Sequence, residues 1–402
     1  MGYPTRLRIV VLGYIVRGPL GGLVWHHLQY VMGLCRLGHD AYFIEDSDDY
    51  ESCYEPATGR LTSDPQCGLS FASDLFDAVG LSQRWAYFDA HRNTWMGPAG
   101  ASARGLLRSA DLLLNLSGVN PMRDWFLDVP HRALVDTDPA FTQIRHHRYE
   151  RKMRDALAHT AFFTFGENFG TERCSMPDDG LPWRPTRQPI VLDAWPVLPG
   201  NPEGNFSTVM QWNSYHALDF GGRCFGTKAD SFASYLDLPR RTTERLELAL
   251  GSLEQAVGLP AAPRDSLRDR GWIVTDALAV TRTASAYQEF ICQSKAEFSV
   301  AKHGYESCWS GWFSERSGAY LASGRPVVTQ ETGFTDWLTA NGGVLSFDSP
   351  QSATDAIDRV SRDYATHCRL ARGIAEDFFE SGVVLSELLR QATEAVFRAG
   401  RI

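Results

Sequence analysis

Hydrophobic and polar positions follow one another along this chain in a repeating order. Leu7-Arg-Ile-Val-Val-Leu12 is an apolar run that ends at Gly13, the pattern of a strand buried on both faces. The loop Arg17-Gly-Pro-Leu-Gly-Gly22 leads into a predicted helix over 23–37. Its apolar stripe is Val24, His27, Leu28, Val31, Leu34 and Cys35, and Gly38 ends it. Asp40-Ala-Tyr-Phe-Ile-Glu45 predicts a second strand, so these segments form a βαβ unit. Further strands are predicted at 111–117, 131–136 and 161–165, with a charged helix over 144–159.

Prolines at 182, 185, 189, 196, 199 and 202 mark a change in the chain and read as a domain boundary and hinge. Beyond them the pattern resumes. Strands are predicted at 207–211, 272–275, 296–301, 326–330 and 343–347, and helices near 242–256, 284–294 and 315–323. Amphipathic helices fill the chain from 352 onward, with a break near Ser381-Gly382. Strands alternating with helices predict open α/β sheets, whose ligands sit beyond the carboxyl ends of the strands. Two α/β domains, 1–195 and 205–375, with a cleft between them, are the expected architecture. The stretch 46–100, rich in Tyr, Trp, Asp and Ser, reads as a long insertion on the acceptor side of that cleft. Its aromatics Tyr50, Tyr54, Trp85, Tyr87 and Trp95 suit either acceptor stacking or core packing.

Composition narrows the function classes. The chain has 402 residues and a formal net charge of −9, with 44% hydrophobic residues, so disorder and fibrous classes drop out. No Lys/Arg stripe is present, which argues against a duplex nucleic-acid partner; a single anion could still be held by a local nest of amides and a few cations. Cysteines 35, 53, 67, 174, 224, 292, 308 and 368 show neither C-x-x-C nor zinc spacing, and read as free thiols of a reducing compartment. With no secretory leader and no membrane-length apolar run, the expectation is a cytoplasmic enzyme with no integral membrane segment and no metal site.

The candidate chemistry lies at strand and helix ends. Gly21 and Gly22 open the first helix, where a diphosphate could approach the backbone; a tight turn without a ligand fits as well. His27 reads as a core histidine, while His26, away from the stripe, reads as an acid, base or sugar contact, or as solvated surface. Ser314 is a helix N-cap with Arg316 and Ser317 in the first turn, a phosphate cradle in which Glu315 complements the dipole. Thr332, Gly333, Phe334 and Asp336 leave the end of the next strand, where Asp336 and Glu331 could meet sugar hydroxyls. Arg223 and Lys228, in the loop 221–228, suit a diphosphate leaving group, and Lys302 and His303 follow another strand end. Asp136, Asp138 and Glu167 end strands of the first half, where a carboxylate could take a proton from an acceptor hydroxyl.

Taken together these features resemble the GT-B fold nucleotide-sugar glycosyltransferases of the broad group 1, or family-four, type. Gly21-Gly22, His26 and Gly38-His39 are similar to that family's Gly-Gly…His…Gly-His layout. Ala319-Tyr-Leu-Ala-Ser-Gly-Arg-Pro-Val-Val328 resembles its E-A-M-A-x-G-x-P-V-V, Gly333 to Asp336 its G-x-x-E loop, and Arg223 and Lys228 its R-x4-K pair. The E-x7-E acids would fall at Gly311 and Ala319 and are missing, with Glu306 and Glu315 nearby at another spacing. Arg316 in R-x5-A-x-G is also similar to the spore-maturation type. The resemblance implies two Rossmann-like domains facing a central cleft, with the last helix, 376–402, crossing back onto the first. It also implies a donor, UDP-linked above all, held mainly by the second domain. The implied reaction is metal-independent transfer to an unidentified small acceptor, with no cofactor beyond the nucleotide sugar. An inverting route with His26, Asp136 or Asp138 as base stays open, as do an epimerase or phosphorylase and a non-catalytic nucleotide or sugar binder.

Overall fold

A computed structural model of the chain describes residues 6–252, 257–339 and 342–399, with side chains up to 393. Two parallel sheets organise it. The first runs in the order Arg184–Pro185, Ala161–Thr164, His131–Asp136, Leu112–Leu116, Arg8–Leu12, Asp40–Asp46, Trp85–Asp89, Thr94–Met96, and only the last strand is antiparallel. The second runs Ile273–Asp276, Leu246–Leu250, Phe206–Met210, Ala296–Ser299, Val327–Gln330, Val344–Phe347, parallel throughout. In each sheet the first strand in sequence is flanked on both sides by later strands. The chain therefore reverses its winding beside Arg8–Leu12 and beside Phe206–Met210, the places where open sheets leave a crevice.

Alternating side chains of the first sheet bury two faces. Ile9, Val11, Leu114 and Val135 join one core with residues of helices Gly21–Arg36 and Ser381–Ala399. Val10, Leu12, Ile44 and Leu113 join a separate core with Phe126 and Leu107. The final helix thus returns from the second half of the chain to cover the first sheet, docking on helix Gly21–Arg36 and on strands His131–Asp136 and Ala161–Thr164. Phe206, Leu248, Phe298 and Val328 form the core of the second sheet. Among the described residues no helix is long and apolar enough to cross a membrane.

Several elements differ from the pattern-based expectation. The helix expected near 242–256 is the strand Leu246–Leu250; residues 253–256 of that expectation lie outside the described residues. Leu246-Glu-Leu-Ala-Leu250 is a short apolar run between two parallel strands, and such a run reads the same in either periodicity. The single helix expected over 144–159 is two, Phe141–Arg148 and Glu150–Leu157, because Tyr149 is extended (φ −126°, ψ 106°). The stretch 46–100 is no appended insertion. It supplies two sheet strands, Trp85 and Tyr87 are buried in the sheet, and Tyr50 is the exposed aromatic. The proline-rich segment lies between the two sheets but is packed along its length. Arg184–Pro185 forms the edge of the first sheet, where a missing donor costs least, and Trp195 is buried beside Trp25. The buried Arg325 guanidinium donates to the Leu198, Pro199 and Cys292 carbonyls and pins the segment's end.

Gly21 has a structural reason of its own. A Cβ there would stand 2.6 Å from the Thr283 carbonyl oxygen and 2.7 Å from Tyr287 Cβ, both belonging to the second half of the chain. Trp25 Nε1 donates to the Ala284 carbonyl at 2.9 Å one turn further on, so this helix start is a seam between the domains. Gly21→Ala is expected to cost about 1–3 kcal/mol by overpacking that seam. Thermal unfolding should show a lowered midpoint, and an unchanged midpoint would mean the seam is not a fixed contact.

Candidate functional site

The first sheet contributes the turn after its central strand. The backbone amides of Ile15, Val16 and Arg17 donate to the Glu45 carboxylate at 2.6, 2.8 and 2.7 Å, and Arg17 Nε adds a contact at 3.3 Å. An anion nest is therefore present and filled by an internal carboxylate. Gly22 packs on the Tyr287 ring at 3.3 Å, so Gly21 and Gly22 both serve close packing. His27 is a core histidine, its Nδ1 at 2.7 Å from the Leu23 carbonyl. His26 is also buried, against the rings of Tyr30, Phe165 and His27, and neither of its ring nitrogens has a hydrogen-bond partner among the described residues. Burial lowers its pKa against the opposing pull of Glu315, so the ring is neutral.

The second sheet contributes cations. Lys228 opens a short helix whose N-cap, Thr227, forms a capping box with Asp230. Its half-buried ammonium has no hydrogen bond or ion pair among the described residues. Burial, with Arg316 and Lys302 close by, brings its pKa down to about 7. Arg316 itself is occupied: Nε donates to Glu297 at 2.6 Å, Nη1 to the Val209 carbonyl at 3.0 Å and Nη2 to Ser299 Oγ at 2.8 Å. It ties together the carboxyl ends of the two central strands and lends the site its charge. Ser314 caps the helix Glu315–Ala322, accepting from the Arg316 amide at 3.2 Å, and the buried Ser317 hydroxyl beside it has no partner among the described residues. His303 Nδ1 accepts from the Gly226 amide at 3.2 Å, bracing the loop that leads to Lys228.

Asp138 joins the two sides. Its carboxylate accepts from Arg145 (2.9 Å) of its own domain and from Tyr215 (2.7 and 2.8 Å), Lys302 (2.9 Å) and Tyr305 (2.5 Å) of the other. Burial alone would raise its pKa, but Lys302 and Arg145 outweigh it and hold the carboxyl well below the usual range. Asp136 is buried and accepts from the Asp138 amide (2.9 Å), Gln143 (3.1 Å) and Thr164 (2.8 Å). Glu167 pairs with Arg187 at 2.7 Å. Asp336 accepts from Arg173 (2.7 Å) and Trp309 (2.7 Å), while Asn168 donates to the Gly333 carbonyl at 2.9 Å, a second bond across the domains. Phe334 is buried against Phe313, and Thr332 donates to the Trp312 carbonyl at 2.5 Å.

The structure gathers Lys228, Lys302, Arg316 and Ser314 on one edge of the second sheet but sends Arg223 elsewhere. The Arg223 guanidinium is exposed and donates to Ser175 Oγ at 2.8 Å and the Ser307 carbonyl at 2.6 Å. Glu315, read from the sequence as a dipole partner alone, is the carboxylate whose field reaches His26, Lys228 and Tyr14. Tyr14, one residue past the glycine that ends the first strand, packs edge-on to His27 at 4.6 Å. Both lay one position from a marked residue and carried no motif. Among the described residues no group of three or more His, Cys, Asp or Glu side chains is placed to hold a metal ion.

No protein-family model matches the chain, and no curated protein matches it by sequence. Solved structures do match its fold. An alpha-glucosyltransferase in complex with UDP and a 13-mer DNA is similar with a TM-score of 0.56 and 12% identity, over 96% of this chain and 99% of that one. Sucrose-phosphate synthase from Thermosynechococcus elongatus is similar with a TM-score of 0.53 and 14% identity, over 96% of this chain and 100% of that one. Anabaena HepE, in complex with UDP and glucose, has a TM-score of 0.52 and 11% identity, over 97% of this chain and 100% of that one. The chain has the GT-B fold.

The Lys228 ammonium makes a pH prediction. Below about 7 it carries its proton, and the charge is lost as pH rises. Binding of inorganic pyrophosphate, measured by calorimetry, should therefore weaken from pH 7 to pH 9 relative to Lys228→Arg, whose guanidinium stays charged. Parallel pH profiles for the two proteins would mean that Lys228 does not meet the anion.

Proposed function

We propose that the chain is a glycosyltransferase that moves a sugar from a nucleoside-diphosphate sugar, UDP-linked, to an acceptor hydroxyl without a metal ion. The observation that carries this reading is the unpaired Lys228 ammonium standing with Arg316 and Lys302 at the carboxyl edge of the second sheet. Such a place suits an anion, and the start of the helix Glu315–Ala322 adds free backbone amides. The fold supports it, because the similar structures named above are glycosyltransferases, two of them holding UDP.

In this reading Lys228 and the helix amides balance the charge that develops on the departing diphosphate, with Lys302 and Arg316 behind them. The acceptor hydroxyl loses its proton to His26, which is neutral. Asp138 is the poorer base, since four side chains already hold its charged form. Asp136 is held within the first domain in the same manner. Arg223 enters only if the loop before Lys228 turns its guanidinium inward. A net charge of −9 and the lack of a basic stripe favour a small acceptor over a nucleic acid.

UDP should raise the unfolding temperature of the wild-type chain and fail to do so for Lys228→Ala. With UDP-glucose and a pool of small acceptors, transfer should persist in EDTA, and Lys228→Ala should lower kcat/KM by about 10²-fold or more. His26→Gln should lower kcat while leaving the UDP shift intact. An isomerised sugar in place of free UDP and a glycosylated product would overturn the reading, as would loss of transfer in EDTA that Mn²⁺ restores.

A further inference from the structure

A cavity of about 230 Å³ lies within the first domain between the sheet and the helix Glu150–Leu157. A single bound water needs only about 10–15 Å³, so there is room for a small molecule. Leu134, Asn115 and His159 line it, with Lys152 and Asp155 from the helix and Arg145 on a further side. The loop over the strand ends is also part of the lining. There Ser117 is left-handed (φ 61°), held by its amide bond to the Val135 carbonyl at 2.8 Å and its hydroxyl contact with Thr137 at 2.7 Å. Non-glycine residues held in that conformation cluster at functional sites.

The polar chemistry of the lining is directional. His159 Nδ1 lies 3.0 Å from the Ala156 carbonyl and so carries the ring proton, which leaves Nε2 to accept. The Asn115 amide nitrogen donates to that Nε2 at 3.2 Å. The orientation of the Asn115 amide is thereby set, and its Oδ1 is a buried acceptor with no partner among the described residues, on a residue only 1% exposed. A buried carbonyl-type oxygen without a donor costs about 1–3 kcal/mol, a cost that a hydroxyl donor would remove. Arg145 and Lys152 face the carboxyls of Asp155 and the buried Asp136 in the lining, two charges of each sign, so the cavity does not select for an ion of either sign.

We propose that this cavity is a second ligand site, separate from the cation cluster, that binds a small uncharged polyol of single-sugar-ring size through a hydroxyl donated to Asn115 Oδ1. The site adjoins the interdomain contacts, because Arg145 lines it and also donates to Asp138.

The test needs neither nucleotide nor turnover, so it stands or falls separately from the transferase reading. Saturation-transfer NMR on the full chain would use glucose, galactose, mannose and myo-inositol as probes, with inorganic phosphate and acetate as charged competitors. At least one polyol should bind, and neither anion should displace it. Binding should weaken tenfold or more in Asn115→Leu, which removes the acceptor, and in Ala156→Leu, which fills the space. It should persist in Asn115→Asp, which keeps an acceptor, and in Lys228→Ala. If the two buried variants do not fold, Lys152→Ala at the exposed rim should still weaken binding several-fold. No binding by any of the four probes, equal binding to wild type and the folded cavity variants, or displacement by either anion would overturn the proposal.

Discussion

The arrangement of this molecule depends on one carboxylate. Asp138 ends a strand of the first sheet, yet three of the four side chains that hold it, Tyr215, Lys302 and Tyr305, belong to the second domain. Its low proton affinity means it stays charged at any ordinary pH, and a charge so enclosed needs all its donors. Removing one partner from such a pair typically costs about 3–5 kcal/mol. The contact therefore ties the end of the first sheet to the second domain. Asn168 on the Gly333 carbonyl and Arg173 on Asp336 repeat the device further along, and the helix start at Gly21 closes the other side.

Charge is divided unequally between the two sides. In the first domain the backbone nest after the central strand is filled by Glu45, whose pKa burial raises and Arg17 and the three amides oppose. That nest has no amides left for an outside anion. On the second side Arg316 is fully engaged by Glu297, Ser299 and Val209, and Lys302 by Asp138, so their charges are placed but their donors are used. Of these three cations Lys228 alone keeps free donors among the described residues, and burial first, then its two neighbours, makes its proton easy to lose.

Much of the fold was legible because buried parallel strands write themselves as short apolar runs, and the ten strands expected from them all appear at nearly the expected places. The helix expected near 242–256 failed because a run of five residues, Leu246 to Leu250, suits a strand and a helix turn equally. The site was legible only in part. Loop cations and helix starts can be found from a sequence, so Lys228, Ser314 and Lys302 were visible. Their partners were not, since Asp138 and Lys302 lie 164 positions apart and nothing local couples them. Arg223 shows the same limit in reverse: its spacing to Lys228 matched a motif, and its side chain found Ser175 and Ser307 first.

Glu315 acts on groups of both domains. At the first position of its helix it favours the dipole, as any carboxylate would. Its field also raises the proton affinity of His26 and of Lys228, groups on opposite domains that burial pushes the other way. A carboxylate so placed makes both groups better able to hold a proton than their burial alone would allow. For Lys228 that means more of the charged form, and for His26 a ring less easily emptied of its proton than burial alone would make it. The acid pair expected from the family pattern is absent, and the one carboxylate at the head of this helix acts on both sides of the cleft at once.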